Sequence, residues 1–222
     1  MKPTQPIPDE KNKRAFQILE KALSKYKGEE HLLIGITGAG GAGKTTFANN
    51  IVSYFGSEQA LTIDLDDYLI SREKRGKLEI TGYNPQANNL SLAREHVEAL
   101  LIGKNISKPR YDHSTGKILN DKQITAKPLI IVEGVTTLYD ELKELHHTSF
   151  FLDAQEETQI KSRIQRDVNK RGYTLEEALS LFEAVKPDYE RFIAPTKQYA
   201  AIVFSVTPDY VMHPIHINEE LQ

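Results

Sequence analysis

The chain of 222 residues contains no cysteine. This absence excludes disulfide bonds, cysteine metal sites and thiol-based redox switches. Positive charge is not in excess either, because 28 lysines and arginines face 31 aspartates and glutamates, which gives a net charge of −3. A slightly acidic chain has no overall basic field, and this argues against nucleic acid as a partner.

Long hydrophobic runs are also missing. No apolar stretch reaches the length of about 20 residues that a membrane-spanning helix needs, so no membrane association is expected. Residues 1–13 are polar and contain several prolines, unlike a secretory signal peptide. We therefore expect a soluble, cytoplasmic protein. The hydrophobic content of 39% is enough for a core, and the length suggests one domain with room for a small lid.

One loop is rich in glycine. Residues 38–45 read Gly-Ala-Gly-Gly-Ala-Gly-Lys-Thr and fit the pattern G-x-x-x-x-G-K-[ST], known as the P-loop. Residues 32–37 before this loop predict a buried strand, and residues 46–55 after it predict a helix, which is the context that the motif requires. Glycines let backbone N–H groups approach phosphate oxygens, and a helix N-terminus adds the positive end of its dipole. The sequence therefore predicts a site for a nucleoside triphosphate.

The last residues of the loop have the side chains that this chemistry needs. Lys44 can reach the β- and γ-phosphates, and the Thr45 hydroxyl can hold Mg²⁺. The predicted nucleotide-binding residues are Gly38, Ala39, Gly40, Gly41, Ala42, Gly43, Lys44, Thr45 and Thr46.

Apolar runs and helical periodicity alternate along the rest of the chain. Strands are predicted at 60–65, 129–132, 149–152 and 201–206, and helices at 15–26, 90–102, 156–169 and 175–192. Thr174 and Glu177 form a capping box at the start of the last helix. The alternation predicts an α/β fold with a parallel β-sheet core flanked by helices. We expect an N-terminal tail and amphipathic helix (1–28), a main domain (29–207) with a lid near 163–174, and a C-terminal extension (208–222).

Acidic residues follow two of the predicted strands. Asp64, Asp66 and Asp67 come at the end of the second strand, and Glu133 closes the third. Ligands of parallel sheets bind at the carboxyl ends of the strands, so these acids are candidates for a functional role. An aspartate here could accept a proton from an attacking hydroxyl, ligate Mg²⁺, or belong to a plain solvated turn. Glu133 has the Walker B position, which holds Mg²⁺ or its water.

Two other segments allow two interpretations each. Arg163, Arg166 and Arg171 surround Asp167, and such a cluster suits either a mobile lid that stabilises phosphoryl charge or a solvated basic helix face. Residues 109–116, Pro-Arg-Tyr-Asp-His-Ser-Thr-Gly, combine aromatic, acidic, imidazole and hydroxyl groups in a predicted loop. This loop could be a substrate pocket or an ordinary turn.

Taken together, these segments resemble the phosphoribulokinase/uridine kinase family over residues 34–206. The resemblance rests on the P-loop, Asp66-Asp67-Tyr68, Tyr111-Asp112-His113, Val132-Glu133-Gly134, Arg166-Asp167 and the stretch 185–200. It implies a P-loop NTPase fold and an ATP- and Mg²⁺-dependent transfer of the γ-phosphoryl group to a hydroxyl of a small molecule. It also implies a homodimer or tetramer. The implied roles are general base for Asp66, catalytic cations for Lys44, Arg166 and Arg171, and Mg²⁺ binding for Thr45, Glu133 and Asp66.

The resemblance indicates the reaction more narrowly than it indicates the molecule that accepts the phosphoryl group. The Asp64–Tyr68 stretch, the basic stretch Arg72–Lys77 and residues 111–116 are more similar to phosphoribulokinase, which implies a sugar phosphate such as ribulose 5-phosphate. Uridine kinase is the alternative, although Tyr83 stands where that branch has an aspartate. A more remote alternative is a regulator that binds the nucleotide without catalysis. The expected substrate residues are Asp66, Tyr68, Arg72, Tyr83, Tyr111, His113, Arg166 and Asp167.

Overall fold

A six-stranded sheet forms the centre of the computed structural model, which describes residues 2–219 apart from the side chain of Lys170. Residue 1 of the predicted tail and residues 220–222 of the predicted C-terminal extension lie outside the described residues. The strands are β1 (Leu32–Gly38), β2 (Ala60–Asp64), β3 (Ile106–Asp112), β4 (Lys117–Ile124), β5 (Leu129–Glu133), β6 (Thr148–Ala154), β7 (Ile202–Val206) and β8 (Met212–Ile217).

The strand order of the main sheet is β2-β5-β1-β6-β7-β8, and only β8 runs antiparallel to its neighbour. The predicted α/β fold with a parallel sheet core is confirmed. The α-helices are α1 (Lys13–Leu23), α2 (Lys44–Phe55), α3 (Arg72–Lys77), α4 (Leu90–Leu101), α5 (Glu156–Arg171) and α6 (Leu175–Asp188). Within residues 2–219, none of the helices has the length and hydropathy to cross a membrane.

The sheet is covered on both faces, which explains why its strands are continuous apolar runs. Ile34 and Ile36 of β1 belong to a core that includes buried residues of α1 and α2. Leu33, the residue before Ile34, points to the opposite face and packs with the buried side of α4. Phe47 of α2 lies in the first core, with its ring edge-on to those of Phe16, Phe150 and Phe204.

Residues 109–116 were predicted to be a loop, and this prediction was wrong for residues 109–112, which end strand β3 of a β-hairpin. Strand β3 pairs with β4 in a separate antiparallel sheet, and only residues 113–116 form the turn. Nearly all of β4 is exposed, and its apolar residues Ile118, Leu119 and Ile124 do not alternate with polar ones, so it lacks the pattern by which a strand is detected in a sequence. Gly116 has a φ of 72°, a left-handed conformation that suits the end of such a turn.

Two elements in the C-terminal part of the chain also differ from expectation in detail. Residues 212–217, assigned from sequence to a C-terminal extension, form the edge strand β8 of the main sheet. The predicted helix at 175–192 is α-helical to Asp188 and continues as a π-helical turn, Tyr189–Ile193. The capping box at its start is present, since Thr174 and Glu177 bond each other's backbone N–H.

Candidate active site

The P-loop connects β1 to α2 at the carboxyl edge of the sheet. Strand β1 has β5 on one side and β6 on the other, so the chain leaves it at the point where the strand order reverses. Such a point is where ligands of parallel sheets bind. Gly43 caps α2 with a φ of 92°, which a residue with a Cβ rarely adopts.

Lys44 is folded back onto its own loop. Its Nζ donates hydrogen bonds of 3.0 Å to the carbonyl oxygens of Gly38 and Ala39. Burial lowers the pKa of Lys44, although the charges of Glu133 and Asp66 act in the opposite direction. The ammonium group of Lys44 is therefore held where phosphate oxygens could replace the two carbonyl oxygens.

The other loop residues differ in exposure, since Ala42 is buried in the core and Thr46 is exposed on the first turn of α2.

Three carboxylates lie beside the P-loop. Asp64 and Glu133 are direct neighbours in the register of β2 and β5, and the Thr45 hydroxyl donates a 2.7 Å hydrogen bond to Glu133. Burial raises the pKa of Asp64, and the charges of Asp66 and Glu133 raise it further. Burial also raises the pKa of Glu133, against the effects of Lys44 and Thr45. The clustered acids favour a cation between them and the phosphates.

Asp66 has a different environment from its two acidic neighbours. It lies in the 3₁₀ turn Leu65–Tyr68 after β2, with its side chain 38% exposed to the cleft. The Nε2 atom of His113 is 3.3 Å from its carboxylate. Burial would raise the pKa of Asp66, but the hydrogen bond and charge of His113, with Lys44 and Arg171, bring it below the ordinary value. The carboxylate is therefore ionised and available as a proton acceptor at neutral pH.

Asp67, the next residue, points away from the cleft. Its carboxylate pairs with the buried ammonium group of Lys108 and accepts a 2.8 Å hydrogen bond from the backbone N–H of Tyr111. Both partners belong to β3, so Asp67 attaches the hairpin to the main sheet.

The predicted lid arginines converge on one buried carboxylate. Asp167 is 1% exposed, and its Oδ1 atom accepts hydrogen bonds from Arg166 at 2.9 Å and from Arg171 at 3.1 Å. Arg163 is 4.0 Å from the same carboxylate. Asp167 was expected to contact substrate, but its oxygens face the arginines and hold them in place. Arg171 is near enough to Asp66 for each charge to shift the pKa of the other.

Helix α5 lies directly against the P-loop. A Cβ atom built on Gly41 would be 2.6 Å from the carbonyl oxygen of Gln159 and 3.1 Å from Cγ of Arg163, so only glycine fits there. The guanidinium of Arg163 covers the ring of Phe182 on α6, at 5.4 Å. Gln159 gave no recognisable signal in the sequence, because its role depends on a contact between distant segments.

The predicted substrate residues fall into two groups. Tyr68 is not in the cleft, because its ring is buried in the core and its hydroxyl bonds Nδ1 of His96 at 2.9 Å. Tyr111 is also buried, and its hydroxyl accepts a hydrogen bond from Arg75. In contrast, Asp66, Tyr83, His113 and Arg166 surround the P-loop edge.

Arg72 joins three parts of the cleft wall. Its guanidinium donates hydrogen bonds to the backbone carbonyls of His113 and Ser114 and lies 5.9 Å from the ring of Tyr173, just after α5. Arg72 therefore links α3, the hairpin turn and the region of the lid.

Known proteins are similar in sequence to this chain along most of its length. A model described as the phosphoribulokinase/uridine kinase family matches residues 33–213, most of the chain. The chain belongs to the phosphoribulokinase/uridine kinase family. Within this family it is 39% identical to a phosphoribulokinase from Synechocystis over 80% of the chain and 54% of that protein. It is 36% identical to a uridine kinase from Clostridium perfringens over 78% of the chain and 86% of that protein.

The fold of this family member matches a solved structure as well. The phosphoribulokinase from Rhodobacter spheroides superimposes with a TM-score of 0.63 and 16% identity, over 81% of this chain and 71% of that one. At this identity the likeness concerns the fold alone. The chain spans about half the length of the phosphoribulokinases it matches in sequence.

Proposed function

We propose that this protein is an ATP-dependent kinase that transfers the γ-phosphoryl group to a hydroxyl of a small, pentose-containing metabolite. The observation that carries the proposal is the position of Asp66. Its ionised carboxylate lies at the edge of the P-loop, near Lys44 on one side and Arg171 on the other. A base between a phosphate loop and arginines is the arrangement that in-line phosphoryl transfer needs.

The transfer balances with the groups present. The acceptor oxygen forms a bond to the γ-phosphorus as the bond to the β–γ bridging oxygen breaks, and ADP leaves with that electron pair. Asp66 takes the proton of the acceptor hydroxyl and later gives it to water. Lys44, Arg166 and Arg171 neutralise the charge that spreads over the transferred group.

Mg²⁺ fits the acidic side of this site. The Thr45 hydroxyl already faces Glu133, and burial next to other carboxylates disfavours the ionised forms of both Glu133 and Asp64. Thr45, Glu133 and Asp66 would hold the ion, with Asp64, another of the three candidate acids at the end of β2, as a further ligand. Among residues 2–219 no three acidic or imidazole side chains form a complete metal site. Mg²⁺ usually takes water and phosphate oxygens as its remaining ligands. When bound, the ion would neutralise charge on the nucleotide phosphates.

Helices α5 and α6 are the lid in this proposal. They pack against each other, and Lys186 of α6 bonds Glu156 of α5 at 2.6 Å. Three arginines held by Asp167 face the P-loop from this pair, so closure would bring positive charge to the phosphates and exclude water.

A sugar phosphate such as ribulose 5-phosphate is the proposed acceptor. Helix α3 carries Arg72, Lys74, Arg75 and Lys77, and Arg72 bonds the hairpin turn that contains His113, so the positive charge of this helix would suit a second phosphate group. A nucleoside 5′-hydroxyl is the alternative, favoured by the match to uridine kinase over nearly its whole length. A homodimer or homotetramer remains part of the proposal, and sedimentation velocity would measure it.

The test is ADP formation by purified protein with Mg²⁺, ATP and each member of an acceptor panel. The panel holds ribulose 5-phosphate, uridine, cytidine, pantothenate and glycerate, and ³¹P NMR identifies the phosphorylated product. Stimulation by ribulose 5-phosphate alone supports the proposed acceptor, whereas stimulation by uridine or cytidine moves the protein to the nucleoside branch. ATP binding without transfer to any acceptor, under conditions where Lys44→Ala abolishes the binding, would support the non-catalytic regulator.

A further inference from the structure

The hydroxyl of Tyr83 lies on the P-loop itself. Tyr83 comes from the segment between α3 and α4, and its Oη accepts a 2.8 Å hydrogen bond from the backbone N–H of Gly40. A Cβ atom built on Gly40 would be 2.6 Å from that Oη. The phenol oxygen therefore takes up one of the backbone N–H groups of the P-loop, and it is these N–H groups that face phosphate oxygens when a nucleotide binds.

The main chain of Tyr83 is fixed from two directions. Its carbonyl accepts a hydrogen bond from the Tyr139 hydroxyl, and its N–H donates to Oγ1 of Thr81 at 3.1 Å. The Thr81 hydroxyl in turn donates a 2.6 Å hydrogen bond to Asp188, the last residue of α6. The main chain of Tyr83 is thus held by hydrogen bonds to α6, through Thr81, and to Tyr139 in the segment after β5. These bonds fix the position from which the phenol reaches the P-loop.

Charged side chains of the candidate active site surround the hydroxyl of Tyr83. Arg163 and Arg166 of α5 and the carboxylate of Asp66 are all near enough to affect its titration, and burial raises the pKa of Tyr83 overall. The group stays protonated at neutral pH. In the bond with Gly40 the oxygen uses a lone pair, so its own proton is available for donation to an anion.

We propose that Tyr83 is a catalytic residue whose hydroxyl donates a hydrogen bond to the γ-phosphoryl group of the bound nucleotide. The proposal rests on the function proposed above and names a residue of that same site. A phosphate oxygen that approaches Gly40 meets the phenol of Tyr83. A slight shift of the ring lets the hydroxyl donate a hydrogen bond to that phosphate oxygen. A hydrogen bond to the γ-phosphate is absent when ADP is bound, so the contact discriminates ATP from ADP.

The experiment compares Tyr83→Phe with wild type and with Tyr54→Phe. The control also loses a buried tyrosine hydroxyl, which donates to Glu20 at 2.9 Å, but it lies at the far end of α2. Isothermal titration calorimetry measures the affinities for ATP and ADP, and initial rates give kcat with the acceptor that supports turnover. For Tyr83→Phe we expect the ATP affinity to fall about tenfold with the ADP affinity unchanged, and kcat to fall about ten- to a hundredfold. Tyr54→Phe should change neither the ratio of affinities nor kcat.

Two outcomes would overturn the proposal. A Tyr83→Phe protein whose ATP-to-ADP affinity ratio and kcat stay within about twofold of wild type would make the tyrosine a structural support of the P-loop. An equal loss of ATP and ADP affinity would mean that the hydroxyl shapes the loop and does not contact the γ-phosphate. The affinity ratio needs no acceptor, so it judges Tyr83 even if wild type phosphorylates none of the panel and the proposed function fails.

Discussion

Replacing Asp66 with asparagine should strongly slow phosphoryl transfer while the protein stays folded. The substitution keeps the size of the side chain but removes its ability to accept a proton. General-base catalysis contributes about 10²–10⁴ to a rate, so kcat should fall by that factor, equivalent to about 3–5 kcal/mol of activation free energy. The affinity for ATP measured without Mg²⁺ should change little, because Lys44 and the backbone of the P-loop remain.

The expected effect on stability is small and depends on pH. The folded state lowers the pKa of Asp66, so its ionised form stabilises the fold above the ordinary carboxyl pKa of about 4, and this contribution is lost as the pH falls through the folded-state pKa. Since the side chain is 38% exposed, solvent screens its interactions, and we expect a loss below about 1 kcal/mol at neutral pH. For a chain of this length that is a Tm decrease of about 2–4 °C or less.

Asp67→Asn is the matched control, since it makes the same chemical change one residue away. It removes the carboxylate that pairs with the buried ammonium group of Lys108 while the charge of Asp64 still acts on that group, so it should cost about 1–3 kcal/mol of folding free energy. Its kcat should stay within about tenfold of wild type. Initial-rate kinetics and differential scanning fluorimetry measure both variants. If Asp66→Asn keeps more than about a tenth of the wild-type kcat, the assignment of Asp66 as the base is wrong.

Three further predictions concern the fold. Phe47→Ala should cost about 3–5 kcal/mol in urea unfolding, because its ring is buried among three other aromatic rings, and a loss under about 1 kcal/mol would contradict this core. Burial lowers the pKa of His146 to about 4, so folding stability should decrease as the pH falls from about 6.5 to 4, by about 3 kcal/mol at most. His146→Asn should lack this part of the pH dependence, and profiles that coincide for both proteins would refute the assignment. Thr174→Ala removes the capping box of α6 and should cost about 1 kcal/mol, seen as faster hydrogen exchange in the first turn of α6 and unchanged exchange in α2.

Local patterns were enough to predict the centre of this fold. The P-loop, β1 and α2 follow from residues 32–55 alone, because glycine content, apolar runs and the helix start are all encoded within a few positions of one another. The capping box at Thr174 is equally local. The family resemblance added the general-base role expected of Asp66 and the catalytic role expected of Arg166 and Arg171, which composition and periodicity do not contain.

The hairpin and the edge strand show where local patterns fail. Strand β4 is exposed along nearly its whole length, and β8 contains Pro214 at the sheet edge. Both strands are defined by backbone hydrogen bonds to a neighbour, which do not depend on side-chain polarity. Asp66 and Asp67 illustrate a related limit, since the two acids are alike in sequence and the 3₁₀ turn directs one to the cleft and the other to Lys108.

The order of residues along the chain is enough to show a glycine-rich loop after an apolar strand, and acids at the ends of two other strands. Which side chains meet at this edge of the sheet depends on the packing of distant segments. Asp64 faces Glu133, 69 positions away, because β2 and β5 are paired in register. Tyr83 reaches Gly40 across 43 residues, and Gln159 limits Gly41 to glycine. Such contacts arise when packing the two faces of the sheet closes long loops, so no window of the sequence contains them.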